Sequence, residues 1–241
     1  MTFESLSPVS THAALYAHLQ QEALERLTDT LGEYRWDVDT TAGILTFTSP
    51  VDPSRSIVAG CEVIASIAPG PRSMLWGWSM EQGRADGFAA KIRSYGAQHG
   101  IAELTAPEVF FPTDPIDDLA SWVLGASHQV GAVATAVTGH GPYFSAPFGG
   151  GSRAVCMLTL NPPLPKPTVS EAVVALPRLL SGLPLTDPRQ AVLGLARLSG
   201  WSAEWTDAQY THLTVDDNVS KATIEFDEQG RVVRVQGSLS A

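Results

Sequence analysis

The amino-acid sequence predicts an α+β protein in which antiparallel β-meander sheets pack against helices. Apolar residues recur at helical spacing in residues 11–31, and a strictly alternating stretch follows in residues 33–39. The same helix-then-meander layout returns in residues 168–241, so it is found at both ends of the chain. Helices and strands that occupy separate stretches of chain are typical of α+β folds rather than of alternating α/β folds.

The composition indicates a globular chain of one or two domains. Its 241 residues are 44% hydrophobic, which is enough for a core. The net charge is −10 and the 15 basic residues are scattered, so nucleic acid and anionic membrane surfaces are disfavoured as partners. No apolar run reaches the about 18 residues of a membrane span, and no signal-peptide pattern is visible. We therefore expect a cytoplasmic protein.

The first part of the chain is predicted to form one helix and a four-stranded antiparallel meander. Ser10 is the expected N-cap of the helix, which covers residues 11–31 and packs across the strands. The third strand is apolar and rich in β-branched residues, as is typical of a strand buried on both faces. The four predicted strands cover residues 33–39, 44–49, 56–67 and 74–80.

The middle of the chain is predicted to contain two more helices and two more strands. Gly100 would end a helix over residues 85–99, and Asp114-Pro115 would begin another that runs to about residue 130. Strands are predicted at residues 132–138 and 154–160, with a loop of glycines and aromatic residues between them.

A proline-rich segment, residues 161–167, is the predicted boundary between two units. Its four prolines favour a stiff, extended linker. It would separate an N-terminal α+β domain, residues 1–160, from a smaller C-terminal helix-helix-meander unit, residues 168–241. Thr168 and Glu171 form a capping box at the start of that unit. Because a unit this short has limited core of its own, we expect it to dock on the first domain.

The strands of the first meander resemble a known pattern. Its parts are Tyr34-Arg-Trp-Asp-Val-Asp39, then Ile44-Leu-Thr-Phe47, then a long strand, then Leu75-Trp-Gly-Trp78. In this order they are similar to a bacterial family catalogued as domain of unknown function 6882, over roughly residues 11–150. The resemblance implies a fold group and no activity, and it assigns a role to no residue.

Aromatic residues suggest a ligand pocket on the first sheet. If residues 74–80 form one strand, Trp76 and Trp78 share a face, and Gly77 leaves the opposite face open to another backbone or a ligand. The alternative is that this face is ordinary core. The predicted ligand-binding residues are Trp36, Trp76, Trp78, Tyr143 and Phe144.

Tyr143 and Phe144 come from the glycine-rich loop of residues 140–152. Long loops with aromatic side chains often carry binding sites or lids. The loop has neither the Gly-Lys-Ser/Thr ending of a phosphate loop nor the spacing of a dinucleotide fingerprint. The alternative is a hairpin connection without a ligand.

Carboxylates on the first strand are weak candidates for a metal site. Glu33, Asp37 and Asp39 alternate with apolar residues and share one face, where they could hold Mg²⁺ or Ca²⁺. The alternative, which the pattern favours, is a solvated outer face with Arg35 as counter-charge. No metal is therefore assigned.

Nucleophilic and zinc chemistry find little support in the sequence. Cys61 and Cys156 each lie in an apolar strand, which is typical of inert buried thiols. The six histidines form no pair at metal-ligand spacing. We predict no cofactor.

Three functions remain open, and the first is favoured. It is a non-catalytic binding or interaction module with a small apolar or aromatic ligand, or with a protein partner. The second is a hydrolase or lyase that uses Asp37 and Asp39, with or without a divalent metal and with a histidine from elsewhere. The third is a structural homodimer unit, since meander sheets can pair edge to edge.

Overall fold

The computed structural model of the protein describes residues 2–81 and 83–239, with backbone alone for 238 and 239. The described chain forms two antiparallel sheets packed against six α-helices, which confirms the predicted α+β class. No helix in these ranges is long and apolar enough to cross a membrane.

The N-terminal helix and meander closely follow the prediction. Helix α1 begins at Ser7 rather than at residue 11, because Pro8 is tolerated in a first helical turn. Ser10 is consequently inside the helix and donates a hydrogen bond to the Ser7 carbonyl oxygen. The elements are α1 (Ser7–Asp29), β1 (Arg35–Asp39), β2 (Ile44–Thr48), β3 (Ser56–Ala68) and β4 (Ser73–Trp76).

Strand β3 is the centre of the larger sheet. Strand β7 (Ser152–Leu160) pairs along one edge of β3, and β2 and then β4 pair along the other. The register with β7 shifts between Val63 and Ala65, so Ile64 is an extra residue. A bulge of this kind bends a strand and changes which side chains face each side of the sheet.

The predicted fourth strand is wrong beyond Trp76. The chain leaves β4 there and forms a 3-10 turn, Gly77–Ser79. Gly77 packs against the backbone of β3, where a Cβ atom would clash with the carbonyl oxygen of Val63. The open face predicted at Gly77 is therefore occupied by the backbone of β3. Because the chain turns after Trp76, Trp76 and Trp78 do not lie on one strand.

Helix α2 (Phe88–His99) ends at Gly100 as predicted, but it begins three residues later than expected. Its first turn is capped from β3, because the Glu62 carboxylate accepts a hydrogen bond from the backbone N–H of Ala89 at 2.9 Å. Two short elements that the sequence pattern missed follow it, α3 (Ala102–Thr105) and β5 (Glu108–Phe110).

Helix α4 (Leu119–Thr138) corrects two predictions. The helix does not begin at Asp114 but after Asp118, whose carboxylate accepts the Ser121 backbone N–H at 3.0 Å. The predicted strand over residues 132–138 is the second half of this helix, which ends at Gly139 with φ of +66°. A short apolar run looks alike in a buried strand and in a buried helix, so the pattern could not separate them.

The predicted glycine-rich loop is mostly a hairpin. Strand β6 (Tyr143–Phe148) pairs with β7 along its length, and the residues 149–151 form the turn. Only the short stretch before β6 and this turn keep the irregular structure that was expected.

The C-terminal elements follow the predicted layout of two helices and then a meander. The Thr168 and Glu171 capping box is confirmed by two reciprocal hydrogen bonds. The second sheet has the order β11-β10-β9-β8. The elements are α5 (Val169–Gly182), α6 (Pro188–Ser199), β8 (Ser202–Trp205), β9 (His212–Asp216), β10 (Ser220–Phe226) and β11 (Val232–Leu239).

Helix α1 contributes to three hydrophobic clusters. Ala17 belongs to the cluster between the larger sheet and α4, and Leu15 belongs to the cluster of the C-terminal helices and second sheet. Leu24 belongs to the aromatic cluster, which we define by Phe47, Trp36 and Phe144. The C-terminal helix α6 thus packs directly on α1. The division of the chain at residues 161–167 stays a prediction.

Candidate ligand-binding site

A cavity of about 610 Å³ lies between α1 and α4. Residues 183–185, which connect α5 to α6, form a third wall, and Tyr143 of β6 lines it as well. The cavity is open to solvent, since Glu25, Gly125 and Pro184 line it and are exposed. We refer to it as the α1–α4 cavity.

The cavity exists because the facing sides of the two helices carry little volume. Along α1 its lining residues recur every three or four positions and are small or polar, among them Ser10, Ala14 and Ala17. On α4, Gly125 and Ala132 face the same space. The large apolar side chains of α1 are used in the three clusters instead, so they do not fill the gap.

His128 and Tyr143 form a hydrogen-bonded pair in this cavity. The imidazole Nδ1 of His128 lies 2.8 Å from the phenol oxygen of Tyr143. Tyr143 is 4% exposed, and burial raises its pKa, so the phenol keeps its proton. Gly131 of α4 positions the ring, because a Cβ atom there would lie 2.6 Å from three ring carbons.

The pKa of His128 lies below its ordinary value. Although part of its surface is accessible from the cavity, protein atoms replace much of the surrounding water, and this lowers its pKa. The charges of Arg153 and His18 lower the pKa further. Nδ1 of His128 and the Tyr143 hydroxyl share one hydrogen bond, whose direction is set by the tautomer of the imidazole.

Arg153 of β7 is held in place by Ser145 of β6. Its Nε donates to Ser145 Oγ at 2.7 Å and its Nη2 donates to the Ser145 carbonyl oxygen at 2.6 Å. Ser145 Oγ in turn donates to Ser127 Oγ of α4 at 2.7 Å. The guanidinium is thus held against β6 rather than moving freely.

Gln21 adds an amide to the polar end of the cavity. Its Nε2 is buried and has no hydrogen-bond partner within residues 2–81 and 83–239. Neighbouring His18 contacts Glu22 at 3.3 Å, and Glu22 also pairs with Arg178 of α5 at 2.7 Å. A buried donor without a partner costs free energy, so Gln21 is an exception among the buried groups.

The third wall is apolar and tied to α1. Leu183, Pro184 and Leu185 line the cavity. The next residue, Thr186, donates its backbone N–H to Thr11 Oγ1 at 3.2 Å, and the two hydroxyls lie 3.0 Å apart. This wall therefore has a defined position against the helix.

The structure separates the five predicted ligand-binding residues. Tyr143 lines the α1–α4 cavity, and the other four do not belong to its lining. Trp36 and Phe144 pack edge to face at 5.5 Å in the aromatic cluster. Trp76 is fully buried and donates its indole N–H to the Glu103 carbonyl oxygen at 2.7 Å. The half-buried Trp78 stacks under Arg93, 4.6 Å from the ring centre.

The weak metal candidates Glu33, Asp37 and Asp39 are all exposed. The Asp39 carboxylate caps its own turn by accepting the backbone N–H groups of Thr41 and Ala42 at 2.9 and 2.8 Å. Within the described ranges, no group of three or more His, Cys, Asp or Glu residues is placed to hold a metal. Glu33 lies before β1, so only Asp37 and Asp39 belong to that strand.

The two cysteines are near neighbours on β3 and β7. Cys61 is paired with Leu158 and Cys156 with Val63, so the two are offset by two residues across the strands. Cys156 is buried and Cys61 is half-buried. A hydrogen bond from the Cys156 thiol lowers the pKa of Cys61, and the same bond together with burial raises the pKa of Cys156.

Sequence reasoning missed His128, Gln21 and His18 as site residues. Their signal was present in α1, where His18, Gln21 and Glu25 continue the stripe of Ser10 and Ala14. A polar and small stripe on a helix that is otherwise apolar indicates a face without a packing partner. His128 could not be found in this way, because it was placed at the end of a shorter helix.

The family comparison covers most of the site. Residues 8–162 match the model of a family described as Family of unknown function (DUF6882). The chain belongs to this family. The match confirms the resemblance read from the strands, and no curated protein and no solved structure matches the chain.

The DUF6882 segment contains α1, α4 and β6, and with them His18, Gln21, His128 and Tyr143. It ends before α5, so the wall of residues 183–185 lies outside the matched segment. The polar end of the cavity and its apolar wall therefore come from different parts of the chain.

Proposed function

We propose that the protein binds a small, largely apolar molecule in the α1–α4 cavity and does not change it chemically. The observation that carries this proposal is the cavity itself, whose 610 Å³ fall within the about 300–1,000 Å³ of small-molecule sites. Its lining combines apolar and small residues with a few polar groups, as is typical of such sites. Of the five ligand-binding residues predicted from the sequence, Tyr143 lines this cavity.

Nile red, an uncharged dye whose fluorescence rises in apolar surroundings, tests the proposal by titration. The wild-type protein should bind it at one site. Ala14 lines the cavity and is only partly buried, so the Ala14→Leu variant fills empty space. We expect it to lower the affinity about tenfold or more, because the leucine occupies the volume that the dye needs.

The matched control is Ala120→Leu, which adds the same side chain at an exposed position of α4 outside the cavity lining. It should bind Nile red as the wild type does. Equal affinities of the Ala14→Leu and Ala120→Leu variants would show that the dye, if it binds, binds elsewhere, and the proposal would be wrong. Native mass spectrometry of the purified protein adds an independent readout, a ligand mass that disappears on denaturation.

The other functions are less well supported. Asp37 and Asp39 are exposed and Asp39 caps a turn, so the hydrolase or lyase reading gains nothing from their positions. A protein partner and a homodimer stay predictions, and analytical ultracentrifugation measures the second directly. We further propose that the protein acts in the cytoplasm and does not bind nucleic acid, in line with its net charge of −10.

A further inference from the structure

The α1–α4 cavity is long in one direction. Its lining residues on α1 run from Ser7 to Glu25 and recur every three or four positions, so they form one stripe along the helix. At a rise of about 1.5 Å per residue, this stripe is about 27 Å long. The cavity therefore follows α1 for about five helical turns.

The other walls are distributed along this length. Gly125 of α4 lies at the start of α1, since a Cβ atom there would be 3.6 Å from the side chain of Thr2. The wall of residues 183–185 lies beside Thr11, because the residue that follows this wall is hydrogen-bonded to the threonine. Glu25 marks the opposite end. Gly125 and Glu25 are both exposed, so the cavity meets solvent near both ends.

The cavity is also narrow. A volume of about 610 Å³ over a length of about 27 Å corresponds to a mean cross-section of about 23 Å² and a width of about 5 Å. Carbon atoms in contact lie about 3.5–4 Å apart, so this width holds one chain of carbon atoms and little else.

A polypeptide is too thick for this cavity. A helix with its side chains is about 10–12 Å across. An extended strand occupies about 4.8 Å in the plane of a sheet and about 10 Å between sheets, roughly twice the mean cross-section. A compact small molecule of the same volume would be wider than the cavity and would leave its ends empty.

We propose that the ligand is a straight-chain molecule, such as an alkyl or acyl chain, that lies along α1. The chain passes Ala14 and Ala17 and contacts the wall of Leu183 and Leu185. The small side chains of the two helices leave the room that an extended chain needs. This inference rests on the proposed function, since it names the class of molecule that the same cavity takes.

A chain and a ring test the inference in the wild-type protein. 1-Decanol and cyclododecanol each carry one hydroxyl and no charge, and the ring has two more carbons than the chain. Each is used to displace Nile red, whose flat ring system is also thin. 1-Decanol should compete at a concentration about tenfold lower or more, because only the chain fits the width of the cavity. Since cyclododecanol has more carbons, its weaker competition cannot come from a shortage of apolar atoms.

A chain-length series measures how far the ligand extends. From 1-octanol to 1-decanol to 1-dodecanol, each pair of added methylenes should raise the affinity roughly tenfold, because each methylene is buried along the cavity. Isothermal titration calorimetry measures these affinities without the dye.

Ala14→Leu divides the cavity part-way along its length. The variant should lose about tenfold or more in affinity for 1-dodecanol and less for 1-octanol, because the shorter chain still fits in one of the two remaining parts. Ala120→Leu, outside the lining, should keep the wild-type ratio of the two affinities.

The outcomes separate the two proposals. The chain inference is wrong if cyclododecanol competes as well as 1-decanol, if neither competes, or if 1-dodecanol gains nothing over 1-octanol, in a protein whose Nile red binding is blocked by Ala14→Leu. The proposed function would still stand in that case. Nile red binding that ignores Ala14→Leu would remove the proposed function and this inference together.

Discussion

Tyr143 and Phe144 are neighbours on β6 and face two different regions of the molecule. Phe144 enters the aromatic cluster, where it packs edge to face on Phe47 at 5.2 Å and on Trp36. Tyr143 lies on the opposite side, on Gly131 and beside His128. One region is filled with large rings, and the other leaves a cavity lined by small and polar side chains. The two faces of β6 thus differ in the volume packed against them, and the face of Tyr143 borders a cavity because small residues of α1 and α4 line it.

The largest expected effect concerns the packed region. Phe47 is fully buried at the centre of the aromatic cluster, so Phe47→Ala should lower the free energy of unfolding by about 3–5 kcal/mol. Urea denaturation followed by circular dichroism measures it. Phe110, which is 68% exposed, provides the control, and Phe110→Ala should cost about 0.5 kcal/mol or less. Similar losses in both variants would mean that the cluster is not packed as described.

A medium effect is expected on the cavity side, at Gly131. A methyl group there collides with the Tyr143 ring, so Gly131→Ala should cost about 1–2 kcal/mol, even though alanine favours helices. It should also weaken Nile red binding, because the displaced ring enters the cavity. Thermal denaturation and the dye titration measure the two effects.

Gly125 of the same helix is the matched control for Gly131. A Cβ atom at Gly125 would meet only the Thr2 side chain, at an ordinary distance of 3.6 Å. Gly125→Ala should therefore stabilise the protein by about 0.5–1 kcal/mol. If Gly131→Ala stabilised the protein equally, the proposed positioning of Tyr143 by Gly131 would have no basis.

The smallest effect is a pH dependence of stability that comes from the cavity side. The pKa of His128 in the folded protein lies below the ordinary value of 6.5. As the pH falls below 6.5, the unfolded chain binds a proton that the folded protein does not, so stability falls between 6.5 and the lower folded pKa. His12 acts in the same direction, through burial and then through Arg197.

Urea midpoints at pH 7.5 and pH 5.5 measure this dependence. The His128→Gln variant should lose less stability between the two pH values than the wild type, because it removes one of the two groups. The variant should keep the part of the pH-dependent loss of stability that is due to His12. A variant whose midpoint falls as steeply as that of the wild type would show that His128 titrates normally in the folded protein.

Much of the fold could be predicted, because local signals decide it. The capping box of Thr168, the alternation of β1 and the glycine after α2 are read within a few residues of the chain. The wrong predictions of secondary structure occur where the local pattern fits a helix and a strand equally well. The apolar run of residues 132–138 suits a buried strand as well as the buried end of α4.

The sequence by itself determined the α+β class, the family and the order of most elements. Only the tertiary structure decided that Trp76 is core, that Gly77 meets the backbone of β3, and that His128, Gln21 and residues 183–185 meet around one cavity. The physical reason is that a cavity is the space left between segments that are distant in the sequence and pack together only in the folded protein. Residues 18, 128 and 183 become neighbours only once α1, α4 and the C-terminal helices have packed together.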